Sequence, residues 1–371
     1  MSSDAIKGCA AFDKVQQQIH NVLRAWNMPE ETAAITAQLM MQTDLLGIDS
    51  HGLSMLPSYE EKINAGTLNI GAVAQVVQDG PSYALLDGQG GLGHPVSAKA
   101  MEMAIGKARQ TGLGLVCVRN SHHFGAAGIY SRMATEQKML ALVTSSANTL
   151  IMVPTGAALP MLGTNPISFA APAEQNEDFV LDMATTTVAA NKVKVYDYLH
   201  KPLPAGWAVD GQGRTLQDPG EAMEQIFKKP AGGLTPLGGT PDMSSHKGYG
   251  LAMMAQILGG TLTGSAFAAT YSKTRSPGDP DDVGHFFLVI DPLIFDPSGG
   301  FGSNLDAMID AMHATPAADP SGEVLVAGDI EARSRQERTK RGIPISLALD
   351  ARLKEICARF SAEYVLFNDV V

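Results

Sequence analysis

The 371-residue sequence predicts a mixed α/β fold with a helical opening. Three observations carry that expectation. Apolar residues near the start, at Val15, Ile19, Val22 and Leu23, keep a spacing of roughly 3.6 residues. From about Val73, short apolar runs alternate with longer helical stretches. A content of 45% hydrophobic and 18% charged residues is that of a packed chain, long enough for two or three domains.

The helical opening covers residues 12–66. Pro29-Glu30-Glu31 reads as a helix start, because proline lacks an N–H and acidic groups favour the positive end of a helix. That helix runs over 32–46 and stops at Gly47. In the centre, residues 83–86, 114–118, 140–145, 167–170, 179–182 and 286–290 read as strands, and 95–111 and 127–137 as helices. Residues 248–271 carry no formal charge and approach membrane-spanning length, but Gln256, several glycines and the adjoining Lys247 favour a buried helix at 251–258 followed by a turn. Residues 296–327 hold one helix near 305–312 between loops, 333–342 are highly charged, and 350–360 return to helix.

A formal charge of −11 and a pI near 5.3 oppose general binding to nucleic acid or an anionic membrane, since a polyanion is repelled. Cys9, Cys117 and Cys357 are scattered and lack zinc-ligand spacing, so neither a disulfide framework nor a metal site is expected. Charges at Asp4, Lys7, Asp13 and Lys14 leave no apolar signal core, which implies a cytoplasmic protein.

Three Ser-His pairs abut glycine at segment boundaries: Ser50-His51-Gly52, Ser121-His122-His123-Phe124-Gly125 and Ser245-His246-Lys247-Gly248. Histidine titrates near neutral pH and bonds through both ring nitrogens, so the pattern points to proton transfer or ligand capture. His51 is a candidate general acid, with Ser50 orienting its ring and Gly52 letting the backbone turn; a capping serine beside a surface histidine is the alternative. After His122 and His123, small residues through Ala126 lead into a helix whose free N–H groups suit phosphate or carboxylate. Ser245, His246 and Lys247 stand at the mouth of the apolar helix, for anion binding or ordinary capping. Thr164, in the turn Gly163-Thr164-Asn165-Pro166, serves a ligand or closes the turn. Asp182, before Met183 and Ala184, caps the next helix or meets a ligand, and Lys192 on that helix is a candidate anion anchor.

Gly88-Gln89-Gly90-Gly91-Leu92-Gly93 matches the phosphate-binding turn of nucleotide folds and lies between a strand and a helix. The acidic residue expected at the end of the next strand is absent, since Arg119 and Asn120 stand there. Close packing explains the glycines as readily as a phosphate does.

Together these segments resemble the malate/L-lactate dehydrogenase family of nicotinamide-dependent oxidoreductases, which also includes ureidoglycolate, sulfolactate and diketogulonate members. The matching blocks are Asp49 to Gly52, Asn120 to Gly128, Gly163 to Pro166, Asp182 to Thr185, Trp207 to Asp210, Lys247 to Gly250, Gly284 to Phe287 and Arg341 to Pro344. The resemblance implies an α/β fold that is not of the Rossmann type. Its cofactor domain would sit beside a helical domain built from the N- and C-terminal segments, usually in a homodimer. The implied division is 1–75 helical, 76–300 cofactor-binding and dimerising, and 301–371 returning to the helical domain. It makes the Gly88 to Gly93 match a false positive.

The same resemblance implies that NAD or NADP is contacted by His122, His123, Phe124, Gly125 and Ala126, by Asp182, Met183 and Ala184, by His246 and Lys247, and by Gly328, Asp329 and Glu331. His51 becomes the leading proton donor with Ser50 in support, and His123 the second candidate; Thr164 and Lys192 are expected at the substrate. Two departures stand out. Met55 replaces the arginine that in many members holds the substrate carboxylate, and residues 228–245 are longer than the expected glycine-rich link. The expected reaction is reversible hydride transfer between a nicotinamide and a small 2-hydroxy or 2-oxo acid. Its rivals are reduction of a cyclic imino acid, a serine hydrolase, and a binding protein without turnover. No GxSxG elbow supports the hydrolase.

Overall fold

The computed structural model describes residues 6–276 and 278–367. Strand β1 (Ile6–Ala10) precedes three helices, α1 (Phe12–Ala25), α2 (Glu30–Leu45) and α3 (Leu56–Asn64). The apolar stripe of α1 at Val15, Ile19, Val22 and Leu23 is wholly buried. Pro29 precedes α2, and Gly47, at φ +83°, closes it while the Ile48 N–H donates to the Thr43 carbonyl at 3.1 Å.

Next come β2 (Gln75–Asp79), β3 (Tyr83–Gly91), α4 (Gly93–Thr111), β4 (Leu113–Ser121), α5 (Gly128–Thr135), β5 (Leu140–Ser145), β6 (Ile167–Ala171) and β7 (Phe179–Met183). An excursion follows with α6 (Ala190–Tyr198), β8 (Ala208–Val209), α7 (Pro219–Phe227) and β9 (Gly233–Leu234). Then α8 (His246–Gln256) runs into a π-turn at Ile257–Thr261, before α9 (Ala268–Tyr271) and β10 (Val283–Ile290). The chain ends with α10 (Phe301–His313), α11 (Asp329–Arg341), β11 (Ile343–Ser346) and α12 (Leu347–Phe360).

The central sheet has the order β2-β3-β4-β10-β5-β6-β7. Only β3 and β4, joined by α4, run parallel; the other neighbours are antiparallel. A doubly wound nucleotide fold needs successive parallel strands, so this sheet is not of that type. α4 and α5 cover one face, burying Val116, Val118, Val143, Phe287 and Val289 in one core. Burying each such large apolar side chain contributes about 1.5–3 kcal/mol.

A second core joins the two chain ends. β1 pairs antiparallel with β11, Ala10 opposite Ile343, and α1 to α3 share apolar contacts with Ile345, Leu353 and Ile356. The helical layer is thus built from N- and C-terminal segments. α10 belongs elsewhere, with Leu305 and Ile309 packed on Ala171 and Ala173. The charged stretch near 333–342 is α11, in which only Ala332 is buried, so no apolar stripe marks it in the sequence.

One edge of the sheet gathers the candidate segments. There β3, β4, β5 and β7 end while β6 and β10 begin, as the pairs Gly91–Ser121, Val283–Ser121, His285–Ser145, Thr144–Ile167 and Ile167–Met183 require. α8 starts five residues before the apolar run. Among the described residues no helix is long and apolar enough to cross a membrane.

Candidate active site

His51 and His123 meet where the helical layer crosses this sheet edge. Their ring centroids lie 5.4 Å apart. His51 sits in the turn after α2, with Nδ1 2.7 Å from Ser50 Oγ, so Ser50 bonds the histidine ring and caps no helix. That turn rests on Asp44. The Leu53 N–H donates to Asp44 Oδ2 at 2.8 Å, and Arg338 of α11 grips both the Asp44 carbonyl and the Asp49 carboxylate.

Gly52, at φ −99° and ψ −134°, turns the backbone into the 3₁₀ turn at Leu53–Met55 and also lets it pass close to Asp44, since a Cβ there would lie 2.0 Å from Asp44 Oδ1. Burial pushes the Asp44 carboxyl up to about 8, with the Leu53 N–H opposing, so at neutral pH it is held as the acid.

His123 is gripped from α3. Tyr59 is 1% exposed, and its hydroxyl lies 2.8 Å from His123 Nδ1. Burial raises the Tyr59 phenol, which therefore keeps its proton and donates it to Nδ1, leaving His123 with hydrogen on Nε2. His122 turns away: its Nδ1 accepts the His123 N–H at 2.8 Å and its Nε2 lies 2.7 Å from Asp281 Oδ2. Lys62 and Arg275 also bind Asp281. Burial opposes its ionisation, yet the close contacts with His122 and Lys62 hold this carboxyl well below its ordinary range.

Two further histidines, unremarked in the sequence as site residues, wall the pair. His94 is fully buried 6.4 Å from His123, ring to ring, and neither of its nitrogens has a partner among the described residues. His285 stacks on Phe124 at 4.5 Å and bonds Ser145 and Ser121 through its two nitrogens. Burial lowers His51, His94, His123 and His285, and the neighbouring imidazoles add to this for all but His51; His94 and His285 fall to about 3. Four neutral imidazoles therefore line the site at neutral pH.

The Gly88 to Gly93 run is packing. A Cβ on Gly93 would lie 2.5 Å from the His122 carbonyl oxygen and 2.7 Å from Phe124 Cβ, so the glycine lets α4 start against the His122–Phe124 backbone. His94, which follows it, was the signal that mattered.

The remaining predicted residues separate into groups. Asp182 does not cap α6; its Oδ2 accepts the Gly128 N–H at 2.7 Å, at the start of α5. Burial raises it to about 6, opposed by that N–H and assisted by Glu331 nearby. The Gly328 segment runs beside it, since the Val180 N–H donates to the Ala327 carbonyl at 3.0 Å. Asp329 binds His313 and the Val326 N–H. Thr164 accepts from Thr185 through its carbonyl. Lys192 is exposed on α6, with its ammonium 5.3 Å from the Trp207 ring. Met55 packs into the helical core.

Part of this set fits an anionic dinucleotide. Gly238 (φ +100°) and Gly239 (φ +76°) turn the chain ahead of α8, whose first residues, His246 and Lys247, are exposed, and Ser245 bonds Thr155 without capping the helix. Positive charge and free N–H groups at a helix start suit phosphate. Phe124 and Ala126 are buried in the core and His122 is bound to Asp281, so that stretch offers a ligand mainly its backbone and His123.

Known proteins bear on this geometry. A profile of malate/L-lactate dehydrogenases matches residues 10–354. Malate dehydrogenase of Pyrococcus horikoshii is 37% identical over 352 residues, 95% of each chain. L-sulfolactate dehydrogenase of Methanocaldococcus jannaschii is 36% identical, covering 91% of this chain and 93% of its own. The solved structure of the Pyrococcus horikoshii OT3 enzyme superposes with a TM-score of 0.86 at 33% identity, over 98% of this chain and 97% of the other. The chain belongs to the malate/L-lactate dehydrogenase family of oxidoreductases.

Proposed function

We propose that the chain interconverts a small 2-hydroxy acid and its 2-oxo acid, malate- or lactate-like, with NAD or NADP, and that His51 exchanges the proton with the substrate oxygen. One observation carries this reading: of five clustered imidazoles, only His51 and His123 are partly exposed, whereas His94, His122 and His285 are buried. A bound nicotinamide supplies or accepts the hydride. Everything else falls to the chain. In oxidation, neutral His51 takes the hydroxyl proton at the nitrogen that Ser50 leaves free; in reduction it returns it. His123, with its tautomer set by Tyr59, offers Nε2–H as a second donor.

His246 and Lys247 would take the phosphates, while the backbone of His122 to Ala126, the Asp182 to Ala184 segment and Gly328 to Glu331 would hold the rest of the dinucleotide. Since Met55 is turned into the helical core, Lys192 and Thr164 are proposed for the substrate carboxylate and its neighbours. A second copy of the chain would cover the apolar side of the α8 region, where Met253, Met254, Ile257 and Leu262 are 36–56% exposed.

An initial-rate screen tests the reading, using oxaloacetate, pyruvate, sulfopyruvate and a cyclic imino acid with each reduced cofactor. Turnover of a 2-oxo acid supports it. Turnover of the imine alone moves the chemistry to C=N, and cofactor binding without any turnover overturns it.

A further inference from the structure

We propose that Asp281 is a positioning residue for His123, acting through His122. The inference rests on the reading that His123 works at the reacting centre. Asp281 stands just before β10 with its side chain 1% exposed, and three donors converge on it. His122 Nε2 and Lys62 Nζ reach Oδ2 at 2.7 and 2.9 Å, and an Arg275 guanidinium nitrogen reaches Oδ1 at 2.9 Å. Because His122 Nδ1 accepts the His123 N–H, the ring hydrogen sits on Nε2, 2.7 Å from Asp281 Oδ2. The carboxylate therefore sets the ring orientation and tautomer of His122. His122 in turn sets the position of the His123 amide.

The ring of His123 is fixed separately, by Tyr59. Tyr59 and Lys62 are three residues apart on α3 and so share one helix face. One helix thus holds His123 twice. Tyr59 holds its ring directly, and Lys62 holds its main chain by way of Asp281 and His122. Asp282 strengthens the second route, accepting the Asn120 N–H at 3.0 Å and the Ala266 N–H at 2.9 Å, so the end of β4 is pinned to the same dipeptide.

A buried carboxylate among cations adds little net stability over apolar packing. Its place directly behind one of the two partly exposed imidazoles is accounted for by orientation. Groups at a reacting centre need a second layer to hold their geometry, and a displacement near 1 Å costs on the order of 10² in rate.

The test compares Asp281→Asn with the milder His122→Asn, which retains an acceptor for the His123 N–H but loses the donor to Asp281. The readouts are kcat, KM, cofactor Kd by fluorescence, and imidazole ¹⁵N spectra of histidine-labelled protein, with His123→Gln assigning the His123 signal. Asp281→Asn is expected to lower kcat on the order of 10², with KM and cofactor Kd held within about 3-fold. His122→Asn loses less. In both variants the His123 signals shift from their parent positions as its main chain moves against Tyr59, and in Asp281→Asn the His122 signal moves from a single Nε2–H tautomer toward a mixture, while His313, bound to Asp329, stays unchanged. Undiminished kcat with an unmoved His123 signal overturns the proposal; should Asp281→Asn not fold, His122→Asn decides by the same readouts. Full turnover in His123→Gln would remove His123 from the reacting centre, yet the response of its signal to Asp281→Asn would still show whether Asp281 positions it.

Discussion

His51 and His123 face each other at 5.4 Å but are held by different means. His51 lies in a turn of the helical layer, and its ring bonds the side chain next to it in sequence. His123 lies at the sheet edge, and its ring bonds a buried phenol from a helix 64 residues away in sequence. A bond from a partly exposed neighbour leaves a ring free to change tautomer as a proton passes, whereas a bond from a buried element locks one tautomer. Proton exchange suits the first histidine, and steady donation suits the second.

The sharpest test of that contrast is His51→Ala. Turnover should fall on the order of 10²–10⁴ while cofactor fluorescence titrations stay unchanged. Full turnover in this variant would hand the proton step to His123.

Gly125→Ala strikes only the sheet-edge side. At φ +79° a Cβ there would lie 2.6 Å from His94 Nε2, so thermal unfolding should show a loss of about 1–3 kcal/mol together with reduced kcat. A variant as stable and active as the parent would show that His94 yields easily.

Tyr59→Phe and Ser50→Ala probe the two holding bonds directly. Losing the buried bond should cost about 1–2 kcal/mol of stability and roughly 10-fold in kcat, and losing the partly exposed one only a few tenths of a kcal/mol and about 2-fold. Equal effects would erase the distinction between the two histidines.

The last comparison concerns the support under His51. Asp44 has an ordinary value of 3.8 and a folded value of about 8, so between those pH values the folded chain holds a proton that the unfolded chain has lost. Stability then falls as pH rises, by up to about 1.4 kcal/mol per pH unit. The lowered histidines act oppositely, and their gain is complete above their ordinary value of 6.5. From pH 6.5 to 8 the decline due to Asp44 is therefore exposed. Asp44→Asn, which resembles the protonated acid, should flatten it in unfolding curves; a slope that persists would mean that Asp44 is ionised when folded.

Local elements were legible where a period or a stop signal existed. The strand at 140–145 and the end of α2 at Gly47 stand where an apolar run and a glycine place them. The Ser-His pairs and the family blocks marked His51 and His123 as site residues. α11 escaped because its face is charged nearly all round, and β1 and β11 because each is stable only against the other. The Gly88 to Gly93 run shows the limit of motif reading: the same spacing serves a phosphate or a closely packed strand, and the neighbouring atoms decide which.

The sequence by itself determined which residue types stand at which boundaries, the helices and strands that carry a period or a stop signal, and the family. Only the tertiary structure decided that His51, His94, His122, His123 and His285 converge, that two of them stay partly exposed, and that Asp281 lies behind His123. The reason is physical. Periodicity and capping act within a few residues, whereas burial, tautomer and proton affinity are set by atoms that sheet pairing and helix packing bring together from distant parts of the chain.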